Sequence, residues 1–544
     1  MQGLMMETPL LITSLIKHAA ANHGDTEIVS RSVEGPIHRY TYADSYVRIQ
    51  KLANALAGLG VGEEDRIATL AWNGYRHFEL YYAVSGMGSV CHTINPRLPA
   101  DQIAYIVNHA EDQYIFTDLT FVPLIEAVAA HIGRVKGVVV MTDAAHMPET
   151  KLANVLCYED LIADASESFD WPALDESAAA SMCYTSGTTG NPKGALYSHR
   201  STVLHALGTA VPDVFNYSAD TVSLPVVPMF HVNAWGIPYC APMTGAKLVF
   251  PGPKYDGASI YELMDGERVT TAAGVPTVWM VLLDYLRTSG NKLKYLKRTS
   301  IGGAAVPLSM IKEFEETHGV TVHHAWGMTE MSPVGTSGHL KAWMEELPAE
   351  QRYALKVKQG RAIYGVEMKI VGADGKELPH DGTAFGELQV RGPWIARSYY
   401  RDEAGTAAAF TEDGWLRTGD VSTIDPQGFM QIVDRTKDLI KSGGEWISSI
   451  DLENIAVGCP GVAEAGAIAL PHPKWGERPL LVVVPADGDK PTRDDVLGYL
   501  KGKVVDYWLP DDVVFVEELP HTATGKIFKS KLREAFKDYK LPTA

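Results

Sequence analysis

No apolar stretch of the sequence approaches the length that a bilayer span requires. Basic residues are in deficit: 48 Lys and Arg stand against 66 Asp and Glu, a formal net charge of −18. That balance argues against a general nucleic-acid binder or a partner of anionic membranes. Cysteine is scarce as well. Cys91, Cys157, Cys183, Cys240 and Cys459 are scattered, odd in number and without metal-ligand spacing, so free buried thiols in a reducing compartment are expected. There is no internal repeat and no low-complexity tract. The N-terminus shows no basic region followed by a long apolar segment, and Leu541-Pro542-Thr543-Ala544 lacks the Ser-Lys-Leu peroxisomal address. A cytoplasmic location is the default expectation.

What remains is an ordinary globular composition, 46% hydrophobic and 21% charged. The length of 544 residues exceeds what one core supports, so two or more domains are expected. One stretch dominates the sequence: Tyr184-Thr185-Ser186-Gly187-Thr188-Thr189-Gly190-Asn191-Pro192-Lys193-Gly194. Glycines let backbone N–H groups turn toward an anion, short hydroxyls add donors and a lysine adds a compact charge, which together suit successive phosphates. A Walker A loop needs Gly-Lys followed by Ser or Thr, whereas Lys193 lies between Pro192 and Gly194. An ordinary P-loop NTPase is disfavoured. The alternative is a Ser/Thr/Gly-rich surface linker; apolar flanks on both sides favour a tight loop at a sheet edge.

Along the chain, Thr8-Pro9 reads as the start of a helix. Thr41 with Asp44 forms a second start, followed by Ile49, Leu52, Ala53, Leu56 and Leu59 on one face and by Gly58 and Gly60 at the end. A strand is expected over Arg66 to Leu70, and helix-then-strand segments recur through Ile103 to Phe116 and Leu124 to Val140. This is the pattern of an α/β domain with parallel sheet. Past Gly360, short segments at Glu367 to Val371, Glu387 to Val390 and Met430 to Val433 predict a small antiparallel barrel or sheet. After Asp434 a compact α+β module follows, with a helix near Ile450 to Val457, strands near Ala465 to Leu470, Leu480 to Val484 and Val513 to Val516, and a helix capped by Thr492 with Asp495.

Five further stretches combine reactive residue types with turn chemistry. Ile301-Gly302-Gly303-Ala304-Ala305 is a small-residue turn that a flat ring can approach closely; the alternative is a packed strand end. Ala325-Trp326-Gly327-Met328-Thr329-Glu330 sets a stacking aromatic beside a carboxylate able to hold Mg²⁺ directly or through water, or else a core tryptophan beside a solvated glutamate. Leu416 to Asp420 ends in an aspartate that can accept from both hydroxyls of a ribose, or serve as a turn residue. Arg435 and Lys437 bracket the domain boundary. Pro520-His521-Thr522-Ala523-Thr524-Gly525-Lys526 places a lysine on a glycine-bearing loop.

Together, and in this order along nearly the whole chain, these stretches resemble the adenylate-forming superfamily: acyl-CoA synthetases, luciferases and the adenylation domains of peptide synthetases. Two positions depart from its pattern. Trp326 stands where tyrosine is usual, and Asp434 where glycine often precedes the arginine. Ser442 to Ser448 and Pro228 to Gly236 make the chain most similar to medium-chain acyl-CoA synthetases and methylthiopropionate-CoA ligases.

The resemblance implies an α/β fold with a large N-terminal domain (1–434) of parallel-containing sheets and helices plus a small β-barrel subdomain. It also implies a hinge (435–437) at Lys437 and a small mobile α+β C-terminal domain (438–544). It implies ATP, CoA and Mg²⁺ as cofactors and a small carboxylic acid as substrate, with no nucleic-acid partner and with a homodimer left open. Thr185, Ser186, Gly187, Thr188, Thr189 and Lys193 are then expected at the phosphates. Gly302, Gly303, Ala304 and Ala325 to Thr329 are expected around the nucleotide, with Trp326 on adenine. Asp420 and Arg435 fall to ribose and Glu330 to the metal. Lys526, with Glu330 and His231, is expected in catalysis. The acyl pocket is expected from His231, Trp235, Gly274, Val275, Pro276 and Pro333, and the CoA route from Ser442, Gly443, Gly444 and Glu445. Rivals are a luciferase-like or carrier-loading adenylating enzyme and, in another class, a non-catalytic nucleotide sensor of the same fold.

Overall fold

A computed structural model describes residues 1, 3–185, 191–372, 374–443, 445–486, 488, 490–521 and 527–544; the side chains of 445 and 446 also fall outside the description. Two large sheets carry the N-terminal part. The seven-stranded sheet runs in the order 155–157, 137–140, 114–117, 66–70, 90–93, 179–184, 194–198, parallel except for its last pair. The nine-stranded sheet places 321–327, 298–301, 271–274, 222–225, 247–250 and 27–31 side by side and parallel, with antiparallel strands at both edges.

Side chains alternate across a strand, so a parallel strand covered on both faces must be apolar throughout. Ile28, Leu248 and Phe250 point into the core between the two sheets, while their neighbours Val29 and Val249 point into a second core on the outer face. Ile67 and Ala68 divide in the same way between the central core and the outer core of the seven-stranded sheet. The central layer is helical. Helix Tyr42–Gly58 starts at the Thr41–Asp44 capping box, buries Ile49, Leu52, Ala53 and Leu56, and is followed by Gly60 in the left-handed region.

The helix expected at Thr8-Pro9 begins instead at Ile12, without a side-chain cap. Its start is held from far along the chain: the helical Ile12 N–H donates to His199 Nδ1 (3.2 Å), and the N–H of Leu10, just before the helix, to Glu176 (2.9 Å). All five cysteines are buried and free. No described helix is long and apolar enough to cross a membrane.

The segments past Gly360 form a four-stranded antiparallel sheet, 367–371, 385–391, 416–424 and 430–435. From Ile440 the chain enters another sheet, 445–447, 440–442, 476–485 and 462–472, with 512–515 pairing parallel to 476–485. Helices Ser449–Val457 and Arg493–Leu500 cover one face and Lys529–Ala535 the other. Asp434 ties the two sheets together. Its Oδ2 accepts from the Ser449 N–H (2.7 Å) and Oγ (2.6 Å), and Lys529 Nζ reaches both Ser449 Oγ (2.5 Å) and Glu453 (2.7 Å).

Asn73 fixes the irregular chain that leaves the strand Val222–Pro225. Its Nδ2 donates to the carbonyls of Pro225 (2.9 Å) and Val227 (2.8 Å), and its Oδ1 accepts from the Met229 N–H (2.6 Å). Asn73 is fully buried, so its removal strands three polar groups. Asn73→Ala is expected to cost about 2–4 kcal/mol, read as a lower denaturant midpoint; an unchanged midpoint would show that packing alone holds this segment.

Candidate active site

The C-terminal ends of the adjacent parallel strands 222–225, 271–274, 298–301 and 321–327 release Val226, Val275, Gly302 and Met328 into one crevice, the position at which open α/β sheets bind ligands. A cavity of about 910 Å³ lies there. Its lining includes Thr185, Lys193, Gly302 to Ala304, Ala325 to Glu330, Asp420, Arg435 and Lys437. The same cavity is walled by His231, Trp235, Val275, Pro276 and Pro333. Gly274 sits behind this wall, against the indole of Trp279. Ser186 to Thr189, Gly444 and Lys526 lie outside the described residues.

At the phosphate-type loop the flanking strands pair Tyr184 with Gly194, the Thr185 N–H donates to the Lys193 carbonyl (2.9 Å) and the Lys193 N–H to Thr185 Oγ1 (3.2 Å). These bonds close the neck of the loop. Lys193 Nζ stands 4.8 Å above the ring of Tyr399, a cation–π contact. Tyr399 in turn donates its hydroxyl to Glu330 Oε1 at 2.5 Å. Burial pushes the Glu330 carboxyl up, against the Tyr399 hydrogen bond and the charges of Arg435 and Lys193, which pull it down. Sequence reasoning missed Tyr399, which lies far along the chain from Glu330 and carries no motif of its own.

Glu330 is positioned by its neighbours' backbone. Tyr197 donates its hydroxyl to the Thr329 carbonyl (2.6 Å), and the Ala396 N–H donates to the Glu330 carbonyl (2.7 Å). Among the described residues no group of three His, Cys, Asp or Glu side chains could hold a metal. A single buried carboxylate facing a phosphate-type loop instead suits Mg²⁺, which is commonly held by one or two carboxylates together with phosphate oxygens and water.

Asp420 is buried, and both its oxygens are engaged: Oδ2 accepts a hydrogen bond from Trp326 Nε1 (3.0 Å), and Oδ1 forms an ion pair with the Arg435 guanidinium, 2.7 Å from Nε. Gly302 is bare for a reason, since a Cβ there would come 2.6 Å from the Ala325 carbonyl oxygen. Lys437 faces the cavity, and burial pulls its ammonium down, reinforced by Arg435 and Arg533 and opposed by Asp438.

The apolar arm rests on an unusual turn. Val232, Asn233, Ala234 and Trp235 all have φ between 45° and 58°, followed by Gly236 at 77°. Left-handed backbone costs roughly 1–2 kcal/mol per non-glycine residue. Buried contacts offset that cost: Asn233 Nδ2 donates to Ser181 Oγ (3.1 Å), and Gly236 packs on the ring of His205, whose Nε2 accepts from the Val334 N–H (3.1 Å). The turn carries Trp235 into the cavity wall beside Gly302.

The C-terminal domain contributes Glu453, Lys529, His521 and Ile527 to the same cavity. His521 and Ile527 pair across an antiparallel bridge on either side of 522–526. Burial opposes the charge on Lys529, and Glu453 and Asp434 more than restore it, so its pKa is raised. Ser442 and Gly443 line a separate cavity of about 770 Å³ with His472, Lys474, Trp475 and Arg478. Glu445 pairs with Ser442 at its rim.

Comparison with known proteins was made on the whole chain. Residues 16–400 match the AMP-binding enzyme family, and residues 451–526 match the AMP-binding enzyme C-terminal domain. The chain is 51% identical over 540 residues to a 3-methylmercaptopropionyl-CoA ligase of Ruegeria lacuscaerulensis, covering 99% of both chains. It is 49% identical over 538 residues to a medium-chain-fatty-acid–CoA ligase of Ectopseudomonas oleovorans, covering 99% of this chain and 98% of the relative. Among solved structures, ATP-bound MatB from Rhodopseudomonas palustris superposes with a TM-score of 0.81 at 27% identity, over 97% of this chain and all of that one.

Proposed function

The chain belongs to the AMP-binding enzyme family, and on that premise we propose that it is an AMP-forming acyl-CoA ligase whose acid is 3-methylthiopropionate. A medium-chain fatty acid is the alternative that its relatives suggest. The observation that carries this reading is a single cavity joining the neck of a phosphate-type loop, a buried carboxylate beside an aromatic ring, and an apolar wall that includes Trp235. ATP and CoA are the co-substrates. A cytoplasmic location suits such substrates.

A free carboxylate resists thiol attack because oxide is a poor leaving group. In the proposed first step the acid's carboxylate oxygen attacks the α-phosphorus of ATP, the bond to the β-phosphate oxygen breaks, and acyl-AMP and pyrophosphate result. In the second step the CoA sulfur attacks the acyl carbon, its proton leaves, and AMP departs. Thr185 and Lys193, with Ser186 to Thr189, bind the β- and γ-phosphates. Trp326 stacks on adenine, and Asp420 and Arg435 hold the ribose. Glu330 would hold Mg²⁺, which supplies positive charge to the phosphates. Lys526 bridges the attacking carboxylate and the α-phosphate; removing such a donor costs on the order of 10²-fold to 10³-fold in rate.

We further assign 1–434 to the large domain, 435–437 to a hinge and 438–544 to a domain that rotates between the two steps. Ser442 to Glu445 line the route of the CoA thiol. The cavity that Ser442 and Gly443 share with Trp475, Lys474 and Arg478 offers an aromatic face and cations to the nucleotide end of CoA.

The division of labour is tested on the half-reactions. Lys526→Ala is expected to abolish acid-dependent ATP–pyrophosphate exchange while sparing thioester formation from supplied acyl-AMP, and Lys437→Pro to do the reverse. Equal loss of both steps in either variant removes that residue from its role.

Substrate choice is tested by AMP release with CoA over acids from acetate to decanoate plus 3-methylthiopropionate. The thioether acid is expected to give the highest kcat/KM, and Trp235→Ala to shift preference toward longer chains. A decanoate optimum, or a preference untouched by the substitution, counts against the assignment.

The pH dependence follows from Glu330. Activity that needs its carboxylate is present above its pKa and lost as pH falls through it. Because burial raises that pKa above the ordinary 4.5, the acid limb of kcat/KM for ATP, which reports the free enzyme, should lie above pH 4.5. Tyr399→Phe deletes a hydrogen bond that lowers the pKa, so the limb should move to still higher pH. A limb that stays put would separate Tyr399 from the titration.

A further inference from the structure

Trp326 has a use for its ring edge as well as its ring face. A Cβ on Gly335 would lie 2.9 Å from Trp326 Cζ3 and 3.1 Å from Cε3, so the benzo edge of the indole is seated directly on a bare glycine. The pyrrole side points the other way and donates Nε1–H to Asp420 Oδ2 at 3.0 Å. The main chain beneath is held too, its N–H donating to Thr336 Oγ1 at 3.2 Å. The indole is thus fixed at both edges, and it is only 7% exposed.

Asp420 is 2% exposed, and its other oxygen forms an ion pair with the Arg435 guanidinium. A carboxylate offers about four acceptor sites, two on each oxygen. The indole takes one on Oδ2, which leaves acceptor capacity on both oxygens at the cavity that Asp420 lines. The two partners are not equivalent. Arg435 is 40% exposed and stands at the end of its strand, beside the proposed hinge, where an ion pair contributes little. The indole N–H is buried and gives a charge-assisted hydrogen bond, the stronger kind.

We propose that Trp326 is a positioning residue for ribose recognition: its indole N–H aims the Asp420 carboxylate so that one open acceptor site on each oxygen meets one of the two vicinal hydroxyls of the nucleotide. The proposal rests on the reading of Asp420 as the ribose contact. It also gives a physical meaning to tryptophan at a position where the family usually carries tyrosine. A phenol has its only donor at the para tip, whereas the indole donor lies on the ring flank, where Asp420 is.

The test is acid-dependent ATP–pyrophosphate exchange with ATP, 2′-deoxyATP and 3′-deoxyATP, on wild type, Trp326→Phe and Trp326→Tyr, with thermal unfolding recorded for each. Wild type is expected to prefer ATP over each deoxy analogue. Both variants keep an aromatic face and lose the flank donor, so the ATP preference should shrink by about tenfold, the scale of one hydrogen bond to a charged group. The KM for the acid should not move. A purely stacking role would lower kcat/KM for all three nucleotides by one common factor, and an unchanged preference ratio overturns the proposal. Should the variants fail to fold, Gly335→Ala crowds Met331 Cε (2.5 Å) and the benzo edge of the indole (2.9 Å) while leaving the N–H intact; the same shrinkage is expected, and an unchanged ratio again overturns the proposal. A wild type indifferent to the missing hydroxyls refutes the ribose reading of Asp420 itself, a result distinct from failure of the Trp326 role.

Discussion

Two sheets meet at one buried carboxylate. Asp420 and Arg435 face each other on adjacent strands of the four-stranded sheet, and Trp326 comes to them from the nine-stranded sheet. Burying a carboxylate so deeply is costly unless it is paired and hydrogen-bonded. The need to satisfy Asp420 therefore constrains how the two sheets sit on each other. It also places a charged acceptor in the crevice at the ends of the parallel strands.

The opposite end of the cavity is governed by strain. Four successive non-glycine residues in left-handed conformation persist because Asn233, His205 and the Asn73 clamp hold the chain on both sides of them. The result is a wall whose shape is set by backbone geometry. One bulky side chain in that wall is Trp235.

Asp434 adds a third constraint, across the proposed hinge. Its oxygens hold the first residue of helix Ser449–Val457, and through Ser449 it reaches Lys529 and Glu453. The Asp434–Ser449 hydrogen bonds span 435–437 and would have to open in the proposed rotation, whereas those of Lys529 lie within 438–544. The residue that departs from the family's usual glycine thus sits where the orientation of that domain is held. Removing one partner of such a buried pair is costly.

Local chemistry was legible in the chain. The capping boxes at Thr41 and Thr492, the strand Arg66–Leu70 and the C-terminal elements all appear where short-range patterns place them, because capping and side-chain alternation act within a few residues. The residue types of the candidate site, from Thr185 and Lys193 to Glu330, Asp420 and Arg435, were legible for the same reason: each stretch carries its own turn chemistry. The first helix was misplaced because Glu176 and His199, not Thr8, satisfy its start. Tyr399 went unseen because its partners Glu330 and Lys193 are distant in sequence and adjacent only in space. The sequence by itself determined which groups are present and which short elements carry them. Only the tertiary structure decided that the Trp326 N–H faces Asp420, that Gly274 stands behind the pocket wall and that Asp434 binds Ser449, since contacts between residues distant in the chain leave no periodic trace in it.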